Sequence, residues 1–295
     1  MFISESLKKC WRKIINANWN IAIADIGEDL SPVNIRWMKH NYTDRWFADP
    51  FFLEKNSDSY VILAEEFMIN SGLGRICRLV IDKNNYELIQ NDTLLHLSTH
   101  LSFPNFCIHE GNIYIYPENS AAGQLTIYHM TDHILECKKM IPIPLIDPVL
   151  FMNNEKEVFL IGTLPENANG NSNILHVYKS DHLWGEYKET QQISFNDNVA
   201  RRAGKIFHWK GKIISSAQIC NNYYGEGISL QEIKCSEDGI LNMQEIQRLE
   251  AKKITKMTGF HTYNVFDDEV VIDGYKYGNE FIHDTYFKIR GLKNI

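Results

Sequence analysis

Two aspartates share a sequence context that could carry chemistry: Asp49 in Trp46-Phe-Ala-Asp-Pro50 and Asp147 in Ile146-Asp-Pro148. Proline fixes its own φ and biases the residue before it towards extended backbone, so each carboxylate is expected at the rigid start of a strand. Two carboxylates held close together can abstract a proton, steer a water or hydroxyl, or stabilise an oxocarbenium-like centre. Asp-Pro is also ordinary turn chemistry. Its recurrence at equivalent points of two repeats favours the functional reading.

Other polar groups gather at comparable places. Glu65 and Glu66 follow Tyr60-Val-Ile-Leu-Ala64, Glu118 follows Tyr116-Pro117, and His261 precedes a late strand. For the glutamates the alternative is exposed charge in a loop. The segment Asn198-Val-Ala-Arg-Arg-Ala-Gly204 supplies Arg201 and Arg202, with Lys205 next and Gln218, Asn221 and Tyr224 downstream. Guanidinium groups suit bidentate recognition of phosphate or carboxylate, and beside carboxylates they equally form structural ion pairs.

The elements that must position these residues repeat. Five segments follow one plan of polar opening, apolar strand, turn and second apolar strand, beginning near Ala48, Phe103, Ile146, Gly204 and Thr262. Their spacing of roughly 45–60 residues suits four-stranded blades. The chain is thus predicted to be all-β, a five-bladed β-propeller over residues 19–295. Trp19–Ala24 is expected to close the ring by pairing into the last blade, which places the five repeat openings around one axis.

Residues 1–18 are predicted to form a short amphipathic helix, with Leu7, Cys10, Trp11, Ile14 and Ile15 among Lys8, Lys9, Arg12 and Lys13. Packing on the propeller is the preferred role over weak docking to an anionic membrane surface.

With 295 residues, 44% of them hydrophobic, the chain can bury the core of one domain. A net charge of -7 argues against a general nucleic-acid partner, which needs a dense basic face. Six scattered cysteines without metal spacing are expected to be reduced thiols. No secretory leader or membrane span is read, so a cytoplasmic location is expected. Ser71-Gly-Leu-Gly74 lacks the remainder of a phosphate-binding loop. Neither a cofactor nor a metal is expected, although oxygen ligands at Asp49 and Asp147 would suit Ca²⁺ or Mg²⁺.

Arg45-Trp-Phe-Ala-Asp-Pro-Phe51, Leu101-Ser-Phe-Pro104, Ile115-Tyr-Pro-Glu-Asn-Ser120, Ile146-Asp-Pro148, Arg201-Arg-Ala-Gly204, Gly259-Phe-His-Thr262 and Val271-Ile-Asp-Gly274 stand in that order. Together they resemble the propeller family named after the N-terminal region of plant glucosamine inositolphosphorylceramide transferase, itself related to family 43 glycoside hydrolases. For the hydrolases the resemblance implies a general-base Asp in the first blade, an orienting Asp in the third and a general-acid Glu opening the fourth. Asp49 and Asp147 match the first two. The third falls at or next to Arg202, which cannot donate a proton at neutral pH.

A phosphate leaving group needs no proton donor, only positive charge, which Arg201, Arg202 and Lys205 could supply. The preferred reading is therefore glycosyl transfer from a phosphate-activated sugar to a glycan acceptor in surface polysaccharide or glycolipid synthesis. Asp49, Asp147 and Glu118 are the catalytic candidates, and Glu66, Arg201, Arg202, Lys205, Gln218, Tyr224 and His261 the binding ones. The alternatives are a family 43-like glycosidase in which Glu118 or Glu66 replaces the missing acid, and a noncatalytic propeller that binds sugar on aromatics such as Trp46, Phe47, Tyr116 and Tyr224.

Overall fold

The computed structural model describes residues 17–153, 157–168 and 172–277. Among these residues the strands form five four-stranded antiparallel sheets. Blade 1 holds β3 (Arg45–Lys55), β4 (Ser59–Met68), β5 (Leu73–Asp82) and β6 (Leu88–Leu95). Blade 2 holds β7 (Ser102–His109), β8 (Asn112–Glu118), β9 (Leu125–Thr131) and β10 (Ile134–Ile141). Blade 3 holds β11 (Ile146–Asn153), β12 (Glu157–Thr163), β13 (Ile174–Ser180) and β14 (Lys188–Ser194). Blade 4 holds β15 (Phe207–Trp209), β16 (Lys212–Ile219), β17 (Gly227–Cys235) and β18 (Leu241–Glu250).

Blade 5 takes strands from both ends of the described chain. β19 (Tyr263–Phe266) and β20 (Glu269–Tyr277) are joined by β1 (Ala17–Ile26) and β2 (Pro32–Trp37) in the order β19-β20-β1-β2. β1 pairs with β20 from Ala17↔Tyr277 to Asp25↔Glu269, so the predicted closing strand does close the ring. The helix predicted over 1–18 lies outside the described residues except for Ala17 and Asn18, which open β1 as strand.

The second strands carry continuous apolar runs because blades pack on both their faces. Val61-Ile62-Leu63-Ala64 and Phe159-Leu160-Ile161 are all buried, and the core consists of the layers they form between neighbouring blades. The outer strands are polar; β18 reads LNMQEIQRLE and is mostly exposed, which discourages edge-to-edge pairing.

One local device recurs in three blades. The ladder skips two residues between Ala48 and Phe51, between Ser102 and Asn105, and between Ile146 and Val149. The first residue of each skip has positive φ: Asp49 at 49°, Phe103 at 45° and Asp147 at 49°. The extended backbone expected before proline is therefore not adopted. A bulge with left-handed backbone takes its place, which Asp tolerates better than most residues and a bulky Phe adopts only under strain. Proline next to it removes an N–H that the broken ladder leaves without a partner.

Candidate active site

Because β3, β7, β11 and the segments leading into β15 and β19 converge on the axis, their openings surround one pocket of about 210 Å³. Its lining includes Asp49, Glu65, Glu118, Asp147, Arg201 and His261, with Trp19, Trp46 and Tyr224 as aromatic walls.

Asp49 is buried, and each of its oxygens accepts a hydrogen bond. Its Oδ2 accepts from the Phe103 N–H at 2.9 Å, and its Oδ1 accepts from the Thr262 hydroxyl at 2.9 Å and lies 3.1 Å from His261 Nε2. Its own N–H donates to Asp273 Oδ2 at 3.1 Å. On the far side of the ring, His261 Nδ1 stands 2.8 Å from Asp273 Oδ2, and Asp273 Oδ1 accepts the N–H groups of His261 and Thr262. Burial works to raise the Asp49 pKa, but the His261 imidazolium and these donors carry it below the usual carboxylate range. Burial likewise opposes charge on His261, and the carboxylates of Asp273 and Asp49 override it, so both ring nitrogens hold protons.

Asp147 faces them from blade 3. Its Oδ2 accepts from Arg201 Nε at 2.8 Å and from Gln218 Nε2 at 2.9 Å. Burial raises its pKa and Arg201 opposes that rise. The Arg201 guanidinium also lies 5.0 Å from the centre of the Tyr224 ring, a cation–π contact. Glu118 ends β8, where the hydroxyls of Ser120 and Ser102 donate to its two oxygens at 2.9 and 3.4 Å. Burial, reinforced by Asp147, pushes its carboxyl up to about 7. One pocket thus holds a carboxylate kept ionised and a carboxyl that still carries a proton near neutrality.

Of the residues expected at the site, Asp49, Asp147, Glu118, Arg201, Tyr224 and His261 border the pocket. Gln218 stands behind it as a donor to Asp147 and to the Arg202 carbonyl. Three expected binding residues are elsewhere. Glu66 is buried inside blade 1 between Arg45 Nη1 at 2.6 Å, Arg75 Nε at 2.5 Å and Asn91 Nδ2 at 2.8 Å. It is Glu65 that faces the pocket, because neighbouring residues of a strand point to opposite sides.

Arg202 is fully buried in blade 4 and donates to the carbonyls of Ala200 and Val199, to Ser215 Oγ and to Gln231 Oε1. Burial pushes its pKa down to about 9. Lys205 Nζ sits 3.2 Å from the centre of the Phe106 ring, and burial lowers its pKa to about 8. Neither of these cations borders the pocket. Among the aromatics, Phe47 and Tyr116 are core.

Trp19, His100 and Ser102 also border the pocket without having been expected there, and Glu65 takes the place expected for Glu66. Among the described residues, Asp49, His261 and Asp273 also bring metal-ligating atoms within 4.8 Å of one another. There the imidazole nitrogens lie 3.1 Å from Asp49 Oδ1 and 2.8 Å from Asp273 Oδ2.

Residues 33–263 match the family model described as glucosamine inositolphosphorylceramide transferase 1, N-terminal. The chain belongs to this family. Glucosamine inositolphosphorylceramide transferase 1 of Arabidopsis thaliana is 26% identical over 280 residues, which cover 84% of this chain and 35% of that protein. The protein of the same name from Oryza sativa subsp. japonica is 26% identical over 202 residues, 65% of this chain and 27% of its own length. The chain therefore spans about a third of the family members it matches.

Among solved structures, an exo-β-1,3-galactanase from Phanerochaete chrysosporium superposes with a TM-score of 0.54 at 11% identity, over 88% of this chain and 66% of that one. A family 43 β-1,3-galactosidase gives 0.53 at 11% identity, over 74% and 84%. At these identities the likeness is one of fold alone.

Proposed function

We propose that the pocket binds the sugar end of a glycan or glycoconjugate and carries acid–base chemistry at its glycosidic linkage. The observation that carries this reading is the contrast between two buried carboxyl groups of one pocket: Asp49 sits against His261, Thr262 and the Phe103 N–H, which favour its charge, whereas Glu118 has two serine hydroxyls and burial that favours its proton. Asp49 takes the proton of a water or acceptor hydroxyl, and Glu118 gives one to the departing oxygen. The ion pair of Asp147 and Arg201 forms a further part of the lining. At about 210 Å³ the pocket is smaller than the roughly 300–1,000 Å³ typical of drug-sized ligands, which fits one sugar ring flanked by Trp19, Trp46 and Tyr224.

Glu118 takes over the proton-donating duty that the hydrolases of this fold assign to blade 4, where this chain has Arg202. The same pair serves hydrolysis or transfer to an acceptor hydroxyl.

Transfer from a phosphate-activated sugar in glycolipid or surface polysaccharide synthesis is the second reading. It is supported by the transferase name of the longer relatives and by Arg201 at the pocket wall. Of the three cations expected to meet the phosphate, Arg201 alone borders the pocket, and it is already paired with Asp147.

The test is turnover of oligosaccharides, aryl glycosides and nucleotide sugars by the parent, Asp49→Asn and Glu118→Gln. Cleavage or transfer of unactivated glycosides that both variants lose by about 10²–10⁴ supports the first reading. Turnover of nucleotide sugars alone, indifferent to Glu118→Gln, selects the second. Sugar binding without turnover, untouched in both variants, rejects both and leaves a glycan-binding module.

A further inference from the structure

The pocket contains a carboxyl that the acid–base pair does not use. Glu65 on β4 lies across the ladder from Ala48, as Glu118 on β8 lies across from Ser102, so the two glutamates hold the same register position in adjacent blades. Their surroundings differ. Each Glu118 oxygen faces a serine hydroxyl, whereas Ala48 offers nothing to Glu65, whose buried Oε1 has no hydrogen-bond partner among the described residues. A buried polar group left unsatisfied in a folded protein calls for a reason.

The support behind Glu65 is organised. His100 Nε2 stands 3.5 Å from its Oε1, and His100 Nδ1 accepts the Gly74 N–H at 2.9 Å. That bond leaves the ring proton on Nε2, facing Glu65, while burial lowers the His100 pKa and keeps the imidazole neutral. A side chain at position 74 would run into Glu65 Oε1, the Leu101 carbonyl and the His100 ring, so the glycine makes room for both partners. Burial and the negative charge of Asp49 raise the Glu65 pKa well above the carboxylate range, which leaves a neutral acid with one donor and one acceptor.

We infer that Glu65, steadied by His100, is the specificity-determining residue of the pocket and hydrogen-bonds one hydroxyl of the bound sugar ring, thereby selecting its configuration. The inference rests on the sugar-binding reading above. Asp49, ionised, offers acceptors only; Glu65, on the neighbouring strand of the same blade, offers a donor. A site built to bond a particular hydroxyl discriminates strongly against a ligand that cannot present it, because its own buried group is then left unpaired.

The test is calorimetric titration with the methyl glycosides of glucose, galactose, mannose and glucosamine, using the parent, Glu65→Gln and Glu65→Ala. Glu65→Met, of similar length and without hydrogen-bonding power, substitutes for Glu65→Ala should that variant fail to fold. The parent is expected to prefer one configuration. Glu65→Gln, which keeps a donor and an acceptor without charge, should hold that preference within about threefold, and the apolar variant should compress it by about tenfold or more. A parental preference that survives the apolar variant overturns the inference, as does Glu65→Gln behaving like Glu65→Ala. A parent that binds these glycosides without preference overturns it too. A parent that binds none of them overturns the sugar-binding reading together with the inference.

Discussion

His261 Nε2 stands 3.1 Å from Asp49 Oδ1, which joins the last repeat to the first by a buried imidazolium–carboxylate contact. With Asp273 on its other nitrogen, the ring holds two carboxylates that would otherwise repel each other across the point where the propeller closes. Removing it as His261→Gln leaves Asp49 and Asp273 without their cation, which should cost about 3–5 kcal/mol at neutral pH.

The pH dependence of that cost has a definite sign. The folded pKa of His261 is raised, so its contribution is complete below the unfolded value of about 6.5 and is lost as pH rises through the folded value. The folded pKa of Asp49 is lowered, so its contribution is present above about 3.9 and is lost as pH falls through the folded value. Urea unfolding of parent and His261→Gln from pH 3 to pH 10 should therefore show the largest difference between these limits and a smaller one at either extreme. A difference constant across the range contradicts the assigned charges.

Glu118 should set the alkaline limb of activity. Its carboxyl titrates at about 7, so a reaction that needs its proton slows as pH rises through that value. Glu118→Gln should abolish the limb and cost about 10²–10⁴ in kcat on glycosides with poor leaving groups, with far less loss on dinitrophenyl glycosides that need no proton. Equal losses on both classes would mean that Glu118 positions the substrate rather than protonates it.

The fold was legible because each blade begins with the same grammar, and Asp49 and Asp147 were legible because the Asp-Pro motif marks the same bulge twice. The divide between Glu65 and Glu66 was hidden for a physical reason. β4 is buried on both faces, so its sequence does not alternate, and only the register Ala48↔Glu65 shows which glutamate looks inward. Arg201 and Arg202 pose the same problem: Arg202 bridges Ala217 and turns into the blade, while Arg201 reaches Asp147. His100 belongs to the connection before β7 and reaches the site only because Gly74 of β5 binds its Nδ1, a long-range contact without a local signal.

Those two arginines should separate cleanly on substitution. Arg202→Met would strand Ser215 Oγ, Gln231 Oε1 and the Ala200 carbonyl in the blade, at about 1–3 kcal/mol for each acceptor left unpaired, while the Val199 carbonyl keeps the Gln231 amide as its donor. Ligand affinity in whatever fraction stays folded should not change. Arg201→Met instead uncovers Asp147, whose pKa rises further, so it should alter binding or kcat with a smaller effect on the denaturation midpoint. A loss of ligand affinity confined to Arg202→Met at parental stability would contradict the placement of its guanidinium.

Glu65 should be a residue that the fold would be more stable without. Its raised pKa means that the folded chain retains a proton that the unfolded chain releases above about 4.3, so its contribution is complete below that value and stability declines as pH climbs towards the folded pKa. Glu65→Gln has no proton to lose. Its stability relative to the parent should therefore grow from pH 4 to pH 8, as the unfolded parent gains from releasing a proton that the folded parent holds. Urea midpoints at the two pH values check this directly. A difference between variant and parent that stays the same at both pH values would mean that the folded chain does not hold the Glu65 proton.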